Sequence, residues 1–176
     1  MESSKSVSIT IDSRSWWPWT CQKVQVEDEV CFEISRPLSL RWGPLVMRKT
    51  TGETVFTLQK KRALVPEYFL LPTHHKPIII RKASPGYWTC QDSQHIYEVH
   101  RYGSIKCILA CEGRQLAIMS LSANLPFMDE GKTYLRVHNP QHLNLSIAVA
   151  LLVDGFSLNL NPVLLNNNKA TSVQTV

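Results

Sequence analysis

The sequence predicts a mainly β protein, either an antiparallel barrel or a sandwich, from the pattern of its residues between Val24 and Val137. Short runs that mix β-branched and aromatic residues with polar ones are typical of strands, and Gly, Pro and Asp separate these runs as turns. Short strands at regular spacing favour a barrel or sandwich over alternating βαβ units. Strands are predicted at residues 30–34, 44–48, 54–58, 78–80, 96–99 and 134–137.

Two segments share one layout, in which an apolar run, a polar turn with glycine and a second apolar run follow each other. They are PLVMRKTTGETVFTLQ around Gly52 and IKCILACEGRQLAIMS around Gly113. Each predicts a β-hairpin, because glycine adopts the positive φ of a tight reversal without steric cost. The shared layout fits either an internal duplication or two independent hairpins.

The segment LNLSIAVALLVDGF, residues 143–156, fits either a helix or a strand. As a helix it would be about 20 Å long, well short of the ~30 Å of membrane hydrocarbon, so we expect it in a protein core. Its alternation of large and small residues favours a strand. Asn139 and Pro140 instead make a good helix start, and Ala148 and Ala150 favour a helix. A helix that is apolar nearly all round needs protein on every side.

The order of these elements resembles the tubby C-terminal-like superfamily, and most closely its LURP-one-related branch. In that family an acidic-glycine turn and a tyrosine-containing strand precede a final apolar helix that ends in an acidic residue. The matching features here are residues 129–131 (DEG), residues 134–137 (YLRV) and Asp154. The segment LVMRKTTGETVFTLQ is also similar to the family's repeated strand-turn-strand unit, and the resemblance spans about residues 30–158.

This resemblance implies a closed antiparallel β-barrel of about a dozen strands that encloses one apolar C-terminal α-helix. Phospholipid scramblases share that fold. The chain lacks their cysteine-rich palmitoylated cluster, their proline-rich leader and their calcium-binding segment, so we do not expect it to scramble lipids.

The composition is that of one globular domain, with 176 residues of which 44% are hydrophobic and 19% charged. We expect a flexible N-terminal segment over residues 1–20, a single LURP-one or tubby-like barrel domain over 21–160 and a disordered polar tail over 161–176. The start lacks a signal-peptide pattern and no run reaches transmembrane length. We therefore expect a cytoplasmic protein that is at most peripheral at the inner face of a membrane. Five irregularly spaced cysteines predict free thiols.

No catalytic residue, cofactor or metal site is predicted, so we expect a protein that is not an enzyme. Gly131, Lys132 and Thr133 resemble the end of a phosphate-binding loop, but Pro126 stands where that motif needs its first glycine. Cys107 and Cys111 would lie about 13 Å apart in a strand, too far to share a zinc ion. His74 and His75 would point to opposite faces of a strand, and His95 and His100 have no cysteine or acidic partner at ligand spacing.

The net charge of +5 indicates attraction to anionic partners, and the clustered cations are the candidate headgroup-binding residues. A lysine or arginine near an anionic surface contributes ~1 kcal/mol, which suits a phosphoinositide or another anionic phospholipid. The alternative is that these residues are solvated strand ends that keep sheet edges from pairing. Tubby proteins bind phosphoinositides through basic residues on this fold, although the resemblance does not identify the positions. The candidates are Arg48, Lys49, Lys60, Lys61, Arg62, Arg81 and Lys82.

A second candidate site is the tryptophan segment formed by Trp16, Trp17 and Trp19 around Pro18. Tryptophan suits a membrane interface or a protein contact, and these rings could instead cover one end of the barrel. The leading expectation is a module that binds phosphoinositides or an anionic membrane surface. The alternative is an adaptor that contacts a protein partner through the tryptophan segment. Nucleic acid is not an expected partner, because no RNA-recognition or helix-turn-helix signature is present.

Overall fold

The computed structural model describes residues 6–12, 22–35, 44–61, 67–103, 106–120 and 132–153, and these contain twelve antiparallel strands in a closed barrel. Each strand pairs with its neighbours in the chain, and β1 pairs with β12 to close the sheet. The predicted barrel of about a dozen strands is therefore confirmed. The strands are β1 (Val7–Asp12), β2 (Gln22–Val26), β3 (Glu29–Ser35), β4 (Leu45–Lys49), β5 (Thr54–Lys61), β6 (Glu67–Pro72), β7 (Ile78–Ser84), β8 (Tyr87–Gln91), β9 (Ile96–Tyr102), β10 (Lys106–Cys111), β11 (Arg114–Ser120) and β12 (Lys132–Val137).

The C-terminal apolar segment is a helix, α1 (Leu143–Leu151), and the barrel encloses it. Every residue from Leu145 to Val153 is buried. Twelve strands spaced about 4.8 Å apart and tilted by about 40° close at a radius of roughly 12 Å, which leaves room for one helix about 10 Å across. The alternation of residue size that favours a strand is therefore without structural meaning, because the barrel wall surrounds all faces of α1. No helix among the described residues is long and apolar enough to cross a membrane.

The predicted helix start is confirmed one turn upstream of α1. Pro140–His142 form a 3₁₀ turn, and the Asn139 side-chain oxygen accepts a hydrogen bond from the Gln141 backbone N–H at 3.0 Å. Ser146 is fully buried inside the barrel, and its hydroxyl donates to the His142 carbonyl at 2.7 Å. This hydrogen bond offsets the cost of burying a hydroxyl group.

The barrel has two different ends, because successive antiparallel strands run in opposite directions. We call the end where α1 starts the proximal end. It carries the turns that follow β2, β4, β6, β8 and β10, together with the exit of β12. The distal end carries the last residues of β1, β3, β5, β7, β9 and β11 and the first residues of the strands that follow them.

Both predicted glycine hairpins are confirmed. Gly52 lies between β4 and β5 with φ of +92°, and Gly113 lies between β10 and β11 with φ of +74°. The two hairpins also share a bulge. Arg48 pairs with Thr54 so that Val55 is skipped, and Ala110 pairs with Gln115 in the same way. A third hairpin, β2 with β3, has its register shift at the corresponding place.

The prediction of a flexible segment over residues 1–20 is wrong for residues 7–12, which form β1. This strand pairs with β12 on one side and β2 on the other, so the barrel closes through it. Ile9 and Ile11 are buried in the core, and the free energy of burying them holds the strand in place. The rest of that segment and the predicted tail lie outside the described residues.

Candidate functional site

The structure divides the candidate cations between the two ends of the barrel. Lys60 and Lys61 are the last residues of β5, and Arg81 and Lys82 lie near the end of β7, so all four are at the distal end. Strand β6 alone separates the two pairs, which places the Cα atoms of Lys61 and Arg81 about 10 Å apart. We call these four residues the distal cation cluster.

The centre of this cluster is Glu67, the first residue of β6. The strand register aligns Lys61, Glu67 and Arg81 in one row on the outer surface. Arg81 Nε donates to Glu67 Oε1 at 2.6 Å, and Lys61 Nζ donates to Glu67 Oε2 at 3.3 Å. These two hydrogen bonds lower the pKa of Glu67 below its usual range, and the one from Arg81 has the larger effect. The carboxylate is therefore charged at neutral pH.

The other two members of the cluster lie on the rim of the barrel. Phe56 and Leu58 point into the core, and Lys60 continues that inward series at the exposed end of β5. Lys82 continues the same series beyond the buried Ile80. Its Nζ lies 5.6 Å from the centre of the Trp88 ring, a cation–π contact that holds the ammonium group near the rim.

Two further cations at the distal end were not among the sequence candidates. Lys106, the first residue of β10, is exposed, and Arg101 in β9 donates from Nε to the Gly103 carbonyl at 3.1 Å. Clustering along the chain cannot find them, because each is isolated in sequence. The sequence feature that could have identified them is the alternating direction of the strands, which places the end of β9 and the start of β10 at the same end of the barrel as the cluster.

Charge is distributed unequally between the two ends. The acidic residues of the turns lie at the proximal end, at Glu27, Asp28, Glu53, Asp92 and Glu112. The described residues at the distal end include three carboxylates, Asp12, Glu67 and Glu33, the last of which lies opposite Lys23 in the strand register. The cations found there are Lys23, Lys60, Lys61, Arg81, Lys82, Arg101, Lys106 and Lys132. Among the described residues, the distal end therefore has a clear excess of positive charge, whereas Arg48, Lys49, Lys76 and Arg114 offset most of the carboxylates at the proximal end.

Arg48 and Lys49 lie at the proximal end and do not join the cluster. Arg48 pairs with Thr54, and Lys61 is seven residues further along β5, which corresponds to about 23 Å. Arg48 donates to the Ser35 hydroxyl at 2.9 Å, and Lys49 forms an ion pair with Glu53 at 2.7 Å. Both side chains therefore stabilise the barrel surface locally.

Four of the predicted site residues, Arg62 and the three tryptophans, lie outside the described residues. Arg62 directly follows Lys61. Trp16, Trp17 and Trp19 lie in the connection between Asp12 of β1 and Gln22 of β2, and both of these flanking residues are at the distal end. The two strand ends that flank the tryptophan segment in the sequence are therefore at the same end as the distal cation cluster.

The comparisons with known proteins establish a likeness of fold. The chain is similar to the X-ray structure of a protein from Arabidopsis thaliana, AT5G01750, with a TM-score of 0.57 and 12% sequence identity, over 86% of this chain and 93% of that chain. At this identity the likeness shows a shared fold alone. No protein-family model matches the sequence, and no curated protein matches it.

Proposed function

We propose that this protein is a non-enzymatic barrel module of the LURP-one-related type that binds anionic phospholipid, with a phosphoinositide as the preferred headgroup. The observation that carries the proposal is the separation of charge between the two ends of the barrel. The distal cation cluster is the binding site, and the protein works in the cytoplasm at the inner face of a membrane.

The attraction of the distal cation cluster to an anionic surface amounts to a few kcal/mol. Each lysine or arginine close to an anionic surface contributes ~1 kcal/mol, and Lys60, Lys61, Arg81 and Lys82 lie together. Glu67 opposes this attraction, because its carboxylate pairs with both Lys61 and Arg81. Lysine and arginine side chains grouped in this way can bind the phosphates of one inositol ring by charge-assisted hydrogen bonds.

The unequal charge of the two ends supports one orientation on the membrane. An anionic surface attracts the cation-rich distal end more strongly than the proximal end, where carboxylates such as Glu27, Asp28 and Glu112 offset the cations. This orientation also brings the connection with the tryptophan segment toward the bilayer, where indole rings suit the interface. If the cations only kept the strand ends solvated, they would not need to be concentrated at one end of the barrel.

The experiment is co-sedimentation of the full chain with liposomes of neutral lipid, of phosphatidylserine mixtures and of mixtures with a few per cent phosphatidylinositol bisphosphate. Two double variants are compared, Lys60→Gln with Lys82→Gln and Arg48→Gln with Lys49→Gln. Both remove two positive charges, but only the first removes them from the distal end. The distal variant is expected to bind about 25-fold more weakly, and binding of the native chain should weaken with salt.

Equal losses in the two variants would contradict the proposed site, because the net charge alone would then determine binding. Binding to phosphatidylserine and phosphoinositide liposomes in proportion to their charge would contradict headgroup preference. If the native chain pellets with none of the anionic liposomes, the lipid proposal fails. The adaptor function through Trp16, Trp17 and Trp19 would then be tested by removing that segment.

A further inference from the structure

A cavity of about 330 Å³ opens at the proximal end, beside the start of α1. It lies between the turn that follows β6, the turn that follows β8 and the first residues of the helix. Its volume is at the lower limit of the usual range for small-molecule sites, about 300–1,000 Å³. The distal cation cluster is at the other end of the barrel, so the cavity is a separate feature.

The floor of the cavity is apolar and its rim is polar. Leu70, Pro72, Ile78 and Leu145 provide hydrocarbon surface, which suits the apolar body of a ligand. Lysine is the one rim group with donors alone, since each amide and each neutral imidazole offers both a donor and an acceptor. The polar groups are on His75, Lys76, Gln94, Gln141, His142 and Asn144.

The one carboxylate of the lining, Asp92, is already engaged. Its Oδ1 accepts hydrogen bonds from the backbone N–H groups of Gln94 and His95, both at 2.6 Å, and its Oδ2 accepts from the Tyr97 hydroxyl at 3.1 Å. Burial alone would raise the pKa of Asp92, but these three hydrogen bonds outweigh burial and lower it. Most of the acceptor sites of this carboxylate are thus filled from within the protein.

Lys76 differs from Asp92, because no ion pair or hydrogen bond engages its ammonium group among the described residues. It is exposed on the rim, next to the half-buried Ile78 of the apolar floor. The N-terminal end of α1 also faces this side, and a helix N-terminus carries a partial positive charge. We propose that the cavity binds a small molecule with an apolar body and one anionic group, whose charge pairs with Lys76.

The test uses three probes of equal length that differ only in their polar group, namely hexanoate, 1-hexanol and hexylammonium. Each is titrated into the ¹⁵N-labelled full chain, and amide chemical shifts are followed. Hexanoate should give saturable shifts confined to residues 70–78, 92–97 and 141–145. Its affinity should be in the millimolar range, because a ligand of few atoms makes few contacts. Hexanol should bind more weakly, and hexylammonium should bind weakest.

Two variants make the test specific. Lys76→Gln should weaken hexanoate binding about fivefold and leave hexanol binding unchanged, because only the charged contact is lost. Lys106→Gln removes an exposed lysine from the distal end and should change neither. The proposal is overturned if hexanoate gives no saturable shifts, if hexylammonium binds as tightly, or if Lys76→Gln retains native affinity. None of these results bears on liposome binding, so the two proposals can fail independently.

Discussion

Truncating Ile147 should strongly destabilise the protein, because this residue lies at the centre of the enclosed helix. Its side chain is fully buried, and Ile147→Ala removes three carbon atoms. At ~0.8 kcal/mol for each buried carbon the lost transfer free energy is about 2.4 kcal/mol. The closed wall cannot collapse fully onto the void, so the cavity adds to this loss and the total is about 3–4 kcal/mol. Urea denaturation followed by circular dichroism measures the change in the free energy of unfolding.

The matched control is Leu143→Ala at the start of the same helix. Leu143 is only half-buried, so we expect a loss of about 1 kcal/mol. A loss below about 1 kcal/mol for Ile147→Ala, or equal losses for the two variants, would refute the reasoning that α1 is packed on all sides.

Three further predictions concern the turns and titratable groups. Gly52→Ala should lower the free energy of unfolding by about 1 kcal/mol through its positive φ alone, since no atom beyond the adjacent residues lies within 4 Å of the added carbon. A thermal melt measures this change, and an unchanged midpoint would contradict the conformation of this turn. Burial raises the pKa of Cys90 and of Cys107 to about 12, so in a variant with Cys21, Cys31 and Cys111 replaced by Ser both thiols should react with Ellman's reagent only on unfolding. Fast reaction of that variant in its folded state would contradict their burial. Burial lowers the pKa of His142 below 6.5, so the unfolded chain binds this proton more tightly and the free energy of unfolding should fall as pH drops below neutral. His142→Gln should flatten that slope, and an identical slope would count against the burial of this ring.

The predicted strands were confirmed because hydrophobic alternation and turn residues are local signals. β1 also carries such a signal, since Val7, Ile9 and Ile11 alternate with polar residues. The serine content around it instead predicted a flexible segment. The choice between helix and strand for residues 143–151 could not be made locally, because what decides it is the wall of the barrel on every side.

The candidate site shows a different limit of the sequence. Clustering along the chain identified Lys60, Lys61, Arg81 and Lys82, but only the register shows that Lys61 and Arg81 share Glu67. A slip of one residue would turn either side chain to the other face of the sheet, and single residues do not encode this register.

The separation of Arg48 and Lys49 from the cluster follows from strand direction, since β4 ends where β5 begins. The cavity beside α1 was not predicted at all. Its lining comes from β6 and β7, the turns after β6 and β8, β9 and the start of α1, and no single stretch of sequence brings these together.

The most direct test of the membrane account is the affinity of Glu67→Gln for liposomes that contain phosphatidylinositol bisphosphate. The substitution keeps the shape of the side chain, removes its negative charge and releases Lys61 and Arg81 from their ion pairs. One unit of charge close to an anionic surface changes affinity about fivefold, so Glu67→Gln should bind about fivefold more tightly. Glu53→Gln makes the same change beside Lys49 at the proximal end and should bind like the native chain. Equal affinity of Glu67→Gln and the native protein, or an equal gain in both variants, would contradict the account.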